Sequence, residues 1–333
     1  MITHPTRAKT VEKDELKDEF KKRGVIISAL GEKSFSNKQV DKINTVLNAQ
    51  FHAQLNEMDK ENFIRLCQDA EILGITRRPL KKLEKDTITA LPNLKGIAIY
   101  TTGYDWIDVK CLHERKITLS YLPDYATITV AEHTLALMLT MSRRSHLSFD
   151  KVRGFISDDI SLRGWELWQK SVGIVGFGKI GQEIAKLSKA FGMTVTFYDN
   201  KVSQFDANYQ PFEDLLRYSD VIVLAASKIR NASPIIGKHE IALMKKEAYL
   251  INPSRADLVD NAEMLKAIQN HQLSGYAVDD KIDLFLNASI EAGRILQTGH
   301  TAWYSTEAIA RGTQNWVENI ISLASQPQNV VTI

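Results

Sequence analysis

Several ingredients are scarce in this chain, and each scarcity removes a class of protein. Only two cysteines, Cys67 and Cys111, occur among 333 residues. They offer neither metal-ligand spacing nor a disulfide framework, and they fit a reducing, cytoplasmic setting. No stretch approaches the roughly eighteen uninterrupted apolar residues of a membrane-spanning helix. Charge of one sign is not in excess: 42 Lys plus Arg against 40 Asp plus Glu leaves a net +2, which argues against nucleic acid as the main partner. There is no solenoid repeat and no low-complexity tract. The first 24 residues are charged throughout, lack the apolar centre of a signal peptide, and read as a solvated lead-in helix. The basic cluster Arg77, Arg78, Lys81, Lys82 and Lys85 has no interleaved aromatics and reads as a solvated face.

What is present is the make-up of a globular protein, with 44% hydrophobic and 25% charged residues. At about 150 residues per domain the length suggests two domains. Short apolar runs at 24–30, 51–55, 70–75 and 96–100 read as strands, and 36–48 and 59–68 as helices. A long helix over 129–144 is predicted, opened by a Thr129/Glu132 capping box. It is apolar around most of its circumference. That suits a core helix of one domain and a helix between domains or subunits equally. A second alternation starts at 172, with strands at 172–177, 194–198, 220–226, 248–252 and 275–278, and a last helix at 305–324. Strands alternating with helices imply parallel sheets covered on both faces.

Gly176-Phe177-Gly178-Lys179-Ile180-Gly181 is a G-x-G-x-x-G that ends an apolar strand and opens an amphipathic helix. In that context each glycine has a task. Gly176 permits the tight turn, Gly178 leaves room for a pyrophosphate, and Gly181 allows close packing of helix on strand. The free N–H groups of the helix start then face the phosphates. Asp199 ends the next strand, 18 residues after Gly181. A carboxylate there can accept from both adenosine ribose hydroxyls and would repel a 2′-phosphate, so NAD is favoured over NADP, a preference softened by Lys201.

From about Leu94 to Glu307 the chain resembles the D-isomer-specific 2-hydroxyacid dehydrogenase family. IAIYTTGYDWIDV (97–109) is similar to its substrate-carboxylate loop, LPDYATITVAEHTLALMLTMSRR (122–144) to its inter-domain helix, and RGWELWQKSVGIVGFGKIGQEIAK (163–186) to its cofactor fingerprint. SDVIVLAA, INPSRADLVD and GYAVDD follow in family order. TGHTAWYSTEA (298–308) resembles the family's His segment, its tail most like the C-terminal binding protein branch. The resemblance implies an α/β chain with two Rossmann-like or flavodoxin-like parallel-sheet domains and the active cleft between them. Residues 1–119 with 303–333 would form the substrate domain and 120–302 the NAD-binding domain. His133, inside the long helix, reads as a packed or interfacial histidine.

Reducing a 2-oxo acid requires a cation for the carboxylate and ketone, a proton donor, and a hydride from the nicotinamide. The resemblance makes Arg255 the cation and His300 the acid/base, whose ordinary pKa near 6.5 suits proton exchange at neutral pH. It gives backbone N–H groups around Thr102 and Gly103 to the substrate carboxylate. Ser254 would approach the nicotinamide ribose, Asp279 would orient the nicotinamide amide, and Ser227 would lie beside the cofactor. Tyr104 and Trp303 would wall the substrate side. One departure stands out. The family places a Glu five residues after the Asp279 position to support the His, and here that residue is Leu284. Either Asp283, with Asp280 as another candidate, replaces it, or the dyad is absent. The leading reading is thus an NAD-dependent dehydrogenase of D-2-hydroxy acids or 2-oxoacid reductase, acting as a homodimer on a small-molecule acid. The alternative is an NAD(H)-binding regulatory or scaffold protein of the same fold with weak or no catalysis.

Overall fold

The computed structural model describes residues 21–201 and 208–332; nearly all of the charged lead-in lies outside them. Two compact units form. One runs to Tyr125 and resumes at Ile309, and the other spans Ala126–Ala308. The crossings were expected near 120 and 302. The turn up to Tyr125 stays with the first unit because the Tyr125 carbonyl accepts from Arg311 Nε at 3.1 Å and its ring packs edge-on against Tyr100.

In the first unit, five parallel strands form one sheet: β1 (Lys22–Ser28), β2 (Leu47–Ala53), β3 (Ile72–Ile75), β4 (Gly96–Ile99) and β5 (Thr118–Ser120). Their order is β2-β1-β3-β4-β5. The helices between them start where the sequence supplies a cap. α1 (Asn37–Val46) follows Ser36, whose backbone N–H donates to Gln39 Oε1 at 2.9 Å. α2 (Lys60–Cys67) follows Asp59, whose carboxylate accepts from Asn62 N at 2.8 Å. α3 (Lys85–Thr89) comes next, and α4 (Val109–Glu114) is capped by Asp108. Phe63, Leu83, Ile88 and Leu112 fill the core on one face. The last helix of the chain, α12 (Thr306–Ser322), lies along the sheet: Trp316 Nε1 donates to Ala98 O at 2.9 Å, and Ile320 touches the space over Gly74. The residues of the 77–85 basic cluster are exposed as expected, with Arg77 stacked 5.1 Å over Trp106.

The second unit has seven parallel strands: β6 (Ser171–Val175), β7 (Thr194–Tyr198), β8 (Asn208–Tyr209), β9 (Val221–Leu224), β10 (Tyr249–Asn252), β11 (Gly275–Val278) and β12 (Ile295–Gln297). The order β12-β11-β10-β9-β6-β7-β8 reverses at β6, so the sheet winds both ways from β6. In such a sheet ligands bind at the carboxyl edge where the winding reverses. Both faces are covered. Helices α5 (Thr127–Arg143) and α7 (Lys179–Ala190) bury Leu137, Met138, Met141 and Ile184 on one side. On the other, α8 (Phe212–Tyr218), α9 (Lys238–Leu243) and α10 (Asn261–Gln269) bury Leu215, Leu216, Ile241, Met264 and Ile268.

The long helix departs from expectation at its start. It begins at Thr127 after Ala126, with no side-chain cap, so Thr129 already lies inside it and cannot be its N-cap. The Thr129 hydroxyl instead meets Ser305 Oγ at 3.0 Å. Its all-round apolar character is that of a core helix, burying Ala131, Leu135, Leu137, Met138 and Met141. The chain breaks at Arg144, in the left-handed region at φ 49°, and resumes as α6 (Ser145–Val152). Exposed apolar side chains gather there instead: Phe149 is 72%, Val152 88% and Phe155 72% exposed. No helix among the described residues is long and apolar enough to cross a membrane.

Candidate active site

The three glycines of the fingerprint differ as their proposed tasks require. Gly176 sits at φ +92°, and a Cβ on it would meet the Ala225 backbone at 2.7 Å. A Cβ on Gly181 would lie 2.3 Å from the Gly176 carbonyl oxygen, so helix and strand pack too closely there for any side chain. A Cβ on Gly178 would meet nothing within 4 Å. Nothing inside the protein demands glycine at 178. Gly178 is also the N-cap of α7 and brings no capping side chain to the first turn, which starts with Lys179 and Ile180. Space above an uncapped helix N-terminus is what a diphosphate needs, so the residues fit the dinucleotide.

Asp199 follows β7. Its Oδ2 accepts from Phe177 N at 2.7 Å and its Oδ1 from Lys201 N at 2.8 Å. The carboxylate is therefore fastened beside the glycine loop, where it can meet a ribose diol.

The remaining unit-2 residues lie just past neighbouring strand ends. Ser227 follows β9 and is exposed. Asn252, the last residue of β10, is buried and organises the turn that follows: its Nδ2 donates to Arg255 O at 2.7 Å and its Oδ1 accepts from Ser254 N at 3.1 Å. Ser254 Oγ donates to Leu224 O at 2.8 Å, tying this turn to β9. Arg255 is partly buried, with Nη1 donating to Ser254 O at 2.9 Å. Asp257, two residues after Arg255, is paired with Lys228, whose Nζ stands 3.4 Å from its carboxylate. Gln297 pairs with Val278, and Val278 with Asn252. The register thus sets Asn252 and Gln297 two strands apart, roughly 10 Å between backbones, with Arg255 and His300 each three residues further along in the loops past that edge.

One expectation needs correcting. Asp283 does not support His300. It opens the short helix α11 (Asp283–Leu286), is exposed, and pairs with Lys281 Nζ at 3.0 Å. A carboxylate at a helix start with a lysine two residues back is satisfied where it stands. Asp280 is no substitute, since it accepts from Ala256 N and Lys281 N. Leu284 is exposed. Asp279, expected on the nicotinamide amide, is 2% exposed and already holds three donors: Thr298 Oγ1, Thr301 N and Ala302 N, each at 2.7 Å. Its carboxylate holds the segment around His300. That segment is tightly bent, with Gly299 at φ +69° and His300 at φ +64°. Thr298 and His133 are the residues that the sequence reading missed in this role. His133 Nε2 lies 3.1 Å from Thr298 Oγ1 and 3.7 Å from Asp279 Oδ1. Burial pushes the His133 pKa below its usual value, and Asp279 opposes that only in part.

In the first unit, the loop after β4 is stiffened by its own contacts. Thr102 Oγ1 donates to Leu122 O at 2.6 Å, Gly103 N to Thr101 Oγ1 at 3.2 Å, and Trp106 Nε1 to Gly103 O at 3.2 Å. The Gly103 N–H, expected in the carboxylate cradle, thus has a long bond within the loop. Tyr104 is exposed and meets Tyr121 edge-on. Trp303, in the second unit, meets Tyr304 edge-on.

The family model for the NAD binding domain of the D-isomer specific 2-hydroxyacid dehydrogenases matches residues 135–302. A glyoxylate reductase of Thermococcus kodakarensis is 31% identical over 235 residues, covering 67% of this chain and 70% of that protein. A glycerate dehydrogenase of Methylorubrum extorquens is 31% identical over 285 residues, covering 81% and 88%. Among solved structures, an acyclic imino acid reductase in complex with NADPH and D-Arg superposes with a TM-score of 0.82 at 26% identity, covering 92% of this chain and all of that one. Strand order, glycine loop and matched relatives agree, and this chain belongs to the D-isomer-specific 2-hydroxyacid dehydrogenase family.

Proposed function

We propose that the chain interconverts a small 2-oxo acid and the corresponding D-2-hydroxy acid with NAD(H), using Arg255 and His300. The observation that carries this is the register of β10, β11 and β12, which brings both residues to the carboxyl edge that also ends in the glycine loop. Bound nicotinamide supplies the hydride for the carbonyl carbon. Arg255, charged at any working pH, holds the carboxylate and polarises the ketone through its planar fork. His300 gives a proton to the carbonyl oxygen in reduction and takes it back in oxidation. Gly178 and the first turn of α7 hold the diphosphate, Asp199 the adenosine ribose, and Ser227 and Ser254 flank the nicotinamide half. Thr102 and Gly103 bind the acid, while Tyr104 and Trp303 select its side chain. The names of the relatives favour glyoxylate and hydroxypyruvate as first candidates. Loss of NADH absorbance at 340 nm with a panel of 2-oxo acids tests the reading. Turnover is expected to fall at least ~100-fold in His300→Ala and comparably in Arg255→Ala; full activity in either variant refutes its role.

The same reading includes a cytoplasmic homodimer. The apolar surface of α6 and the turn after it, Phe149, Val152 and Phe155, supports a second copy as its cover. Light scattering should give a dimer that dissociates in Phe149→Ser/Phe155→Ser, and a wild-type monomer at micromolar concentration would refute it.

A further inference from the structure

We infer that His133 is a positioning residue for the His300 segment, acting through Thr298 and Asp279; for catalysis this rests on the role of His300 proposed above. The residues after β12 bend through two successive left-handed positions, Gly299 at φ +69° and His300 at φ +64°. A non-glycine residue stays in that region only where its surroundings over-determine it. The surroundings here converge on one buried carboxylate. Asp279 accepts from Thr298 Oγ1 on one side of His300 and from the backbone N–H groups of Thr301 and Ala302 on the other.

A proton count then assigns His133. A threonine hydroxyl carries one proton and two lone pairs. The Thr298 proton goes to Asp279 at 2.7 Å. At the 3.1 Å contact with His133 Nε2, Thr298 Oγ1 can therefore only accept, and His133 must donate. The imidazole thus carries its proton on Nε2. Its place on α5, half buried, favours the neutral ring, and the Asp279 carboxylate stands 3.7 Å from its Nε2. Helix α5 thereby sets the direction of the Thr298 hydroxyl. That hydroxyl completes the Asp279 cage, and the cage holds His300. No carboxylate from α11 takes part, because Asp283 pairs with Lys281 and Leu284 has none.

The test compares variants that remove or keep the donor. His133→Met keeps bulk without an N–H, and His133→Gln keeps one. Thr298→Val removes the hydroxyl, and Thr298→Ser keeps it. Two readouts are taken on the full chain: kcat with KM for NADH, and amide hydrogen exchange in the peptide covering 298–302. Expected are a roughly tenfold loss of kcat in His133→Met and Thr298→Val, KM for NADH within about twofold, and faster exchange at 301–302. The Gln and Ser variants should stay near wild type. The double variant His133→Met/Thr298→Val should be no worse than Thr298→Val alone, since both break one chain. Wild-type exchange and kcat in His133→Met, or multiplicative losses in the double variant, would overturn the inference. Should one variant misfold, the Thr298 Ser/Val pair decides by the same readouts. If the wild type reduces no 2-oxo acid but exchange at 301–302 still responds to His133→Met, the proposed activity fails while the support of this segment by His133 stands.

Discussion

Two alanines placed three residues apart should have opposite effects, and the difference isolates cofactor binding from folding. At Gly181 an added Cβ would stand 2.3 Å from the Gly176 carbonyl oxygen. Ordinary C···O contacts begin near ~3.3 Å, so α7 must retreat by about 1 Å from β6. Overpacking of that kind costs roughly 1–3 kcal/mol. For a unit of this size, that is a fall of about 2–4 °C in Tm per kcal/mol. At Gly178 the same methyl meets no protein atom, and the backbone, at φ −68° and ψ −169°, is open to any residue. Two small effects remain on stability there. Alanine is a poorer N-cap than glycine, and it lowers the entropy of the unfolded chain. They oppose each other, leaving Gly178→Ala within about 0.5 kcal/mol of wild type. Its methyl, however, occupies the space assigned to the diphosphate, so NADH affinity should fall at least ~10-fold, equivalent to about 1.4 kcal/mol. Thermal unfolding without cofactor and NADH fluorescence titration read the two effects separately. Wild-type NADH affinity in Gly178→Ala would refute the placement of the diphosphate, and an unchanged Tm in Gly181→Ala would refute the packing argument.

Asp220 supplies a prediction that depends on pH. Its partial burial works to raise its pKa, but hydrogen bonds from Lys245 and from Ser171 N and Oγ outweigh this and leave it lowered. A carboxyl whose folded pKa is lowered stabilises above its unfolded value and loses that contribution as pH falls through the folded one. Asp220→Asn should therefore cost about 1 kcal/mol at pH 7, discounted for partial exposure, and the gap should close below about pH 4; a gap of equal size at pH 3 in urea unfolding would contradict this. Asp199→Ser removes the charge that repels a 2′-phosphate, so the ratio of kcat/KM for NADPH over NADH should rise at least ~10-fold, and steady-state kinetics showing an unchanged ratio would remove Asp199 from the ribose site.

Much of the fold was legible from the sequence because its signals are local. Runs such as VGIV and VIVL announce buried parallel strands, the Ile180/Ile184/Leu187 spacing announces the face of α7, and the glycine spacing announces a turn with a phosphate seat. Strands β8 and β12 have two and three residues and no such pattern. They exist because a parallel neighbour already offers a free edge. The capping box at Thr129 was legible and misleading, since local chemistry proposed one partner and Ser305 supplied another.

The candidate site divides in the same way. Residue type and spacing were enough to single out Gly176, Gly178, Gly181 and Asp199, whereas Arg255 and His300, one arginine and one histidine among several, stood out only through the motifs they share with the family. What each carboxylate does was decided by tertiary structure alone. Asp279, Asp280 and Asp283 lie within five residues of one another, and composition cannot tell them apart. One reaches across to Thr298, Thr301 and Ala302, one to Ala256, and one to Lys281. Hydrogen bonds are directional and short, so their partners depend on how strands far apart in sequence line up, and no spacing rule along the chain carries that information.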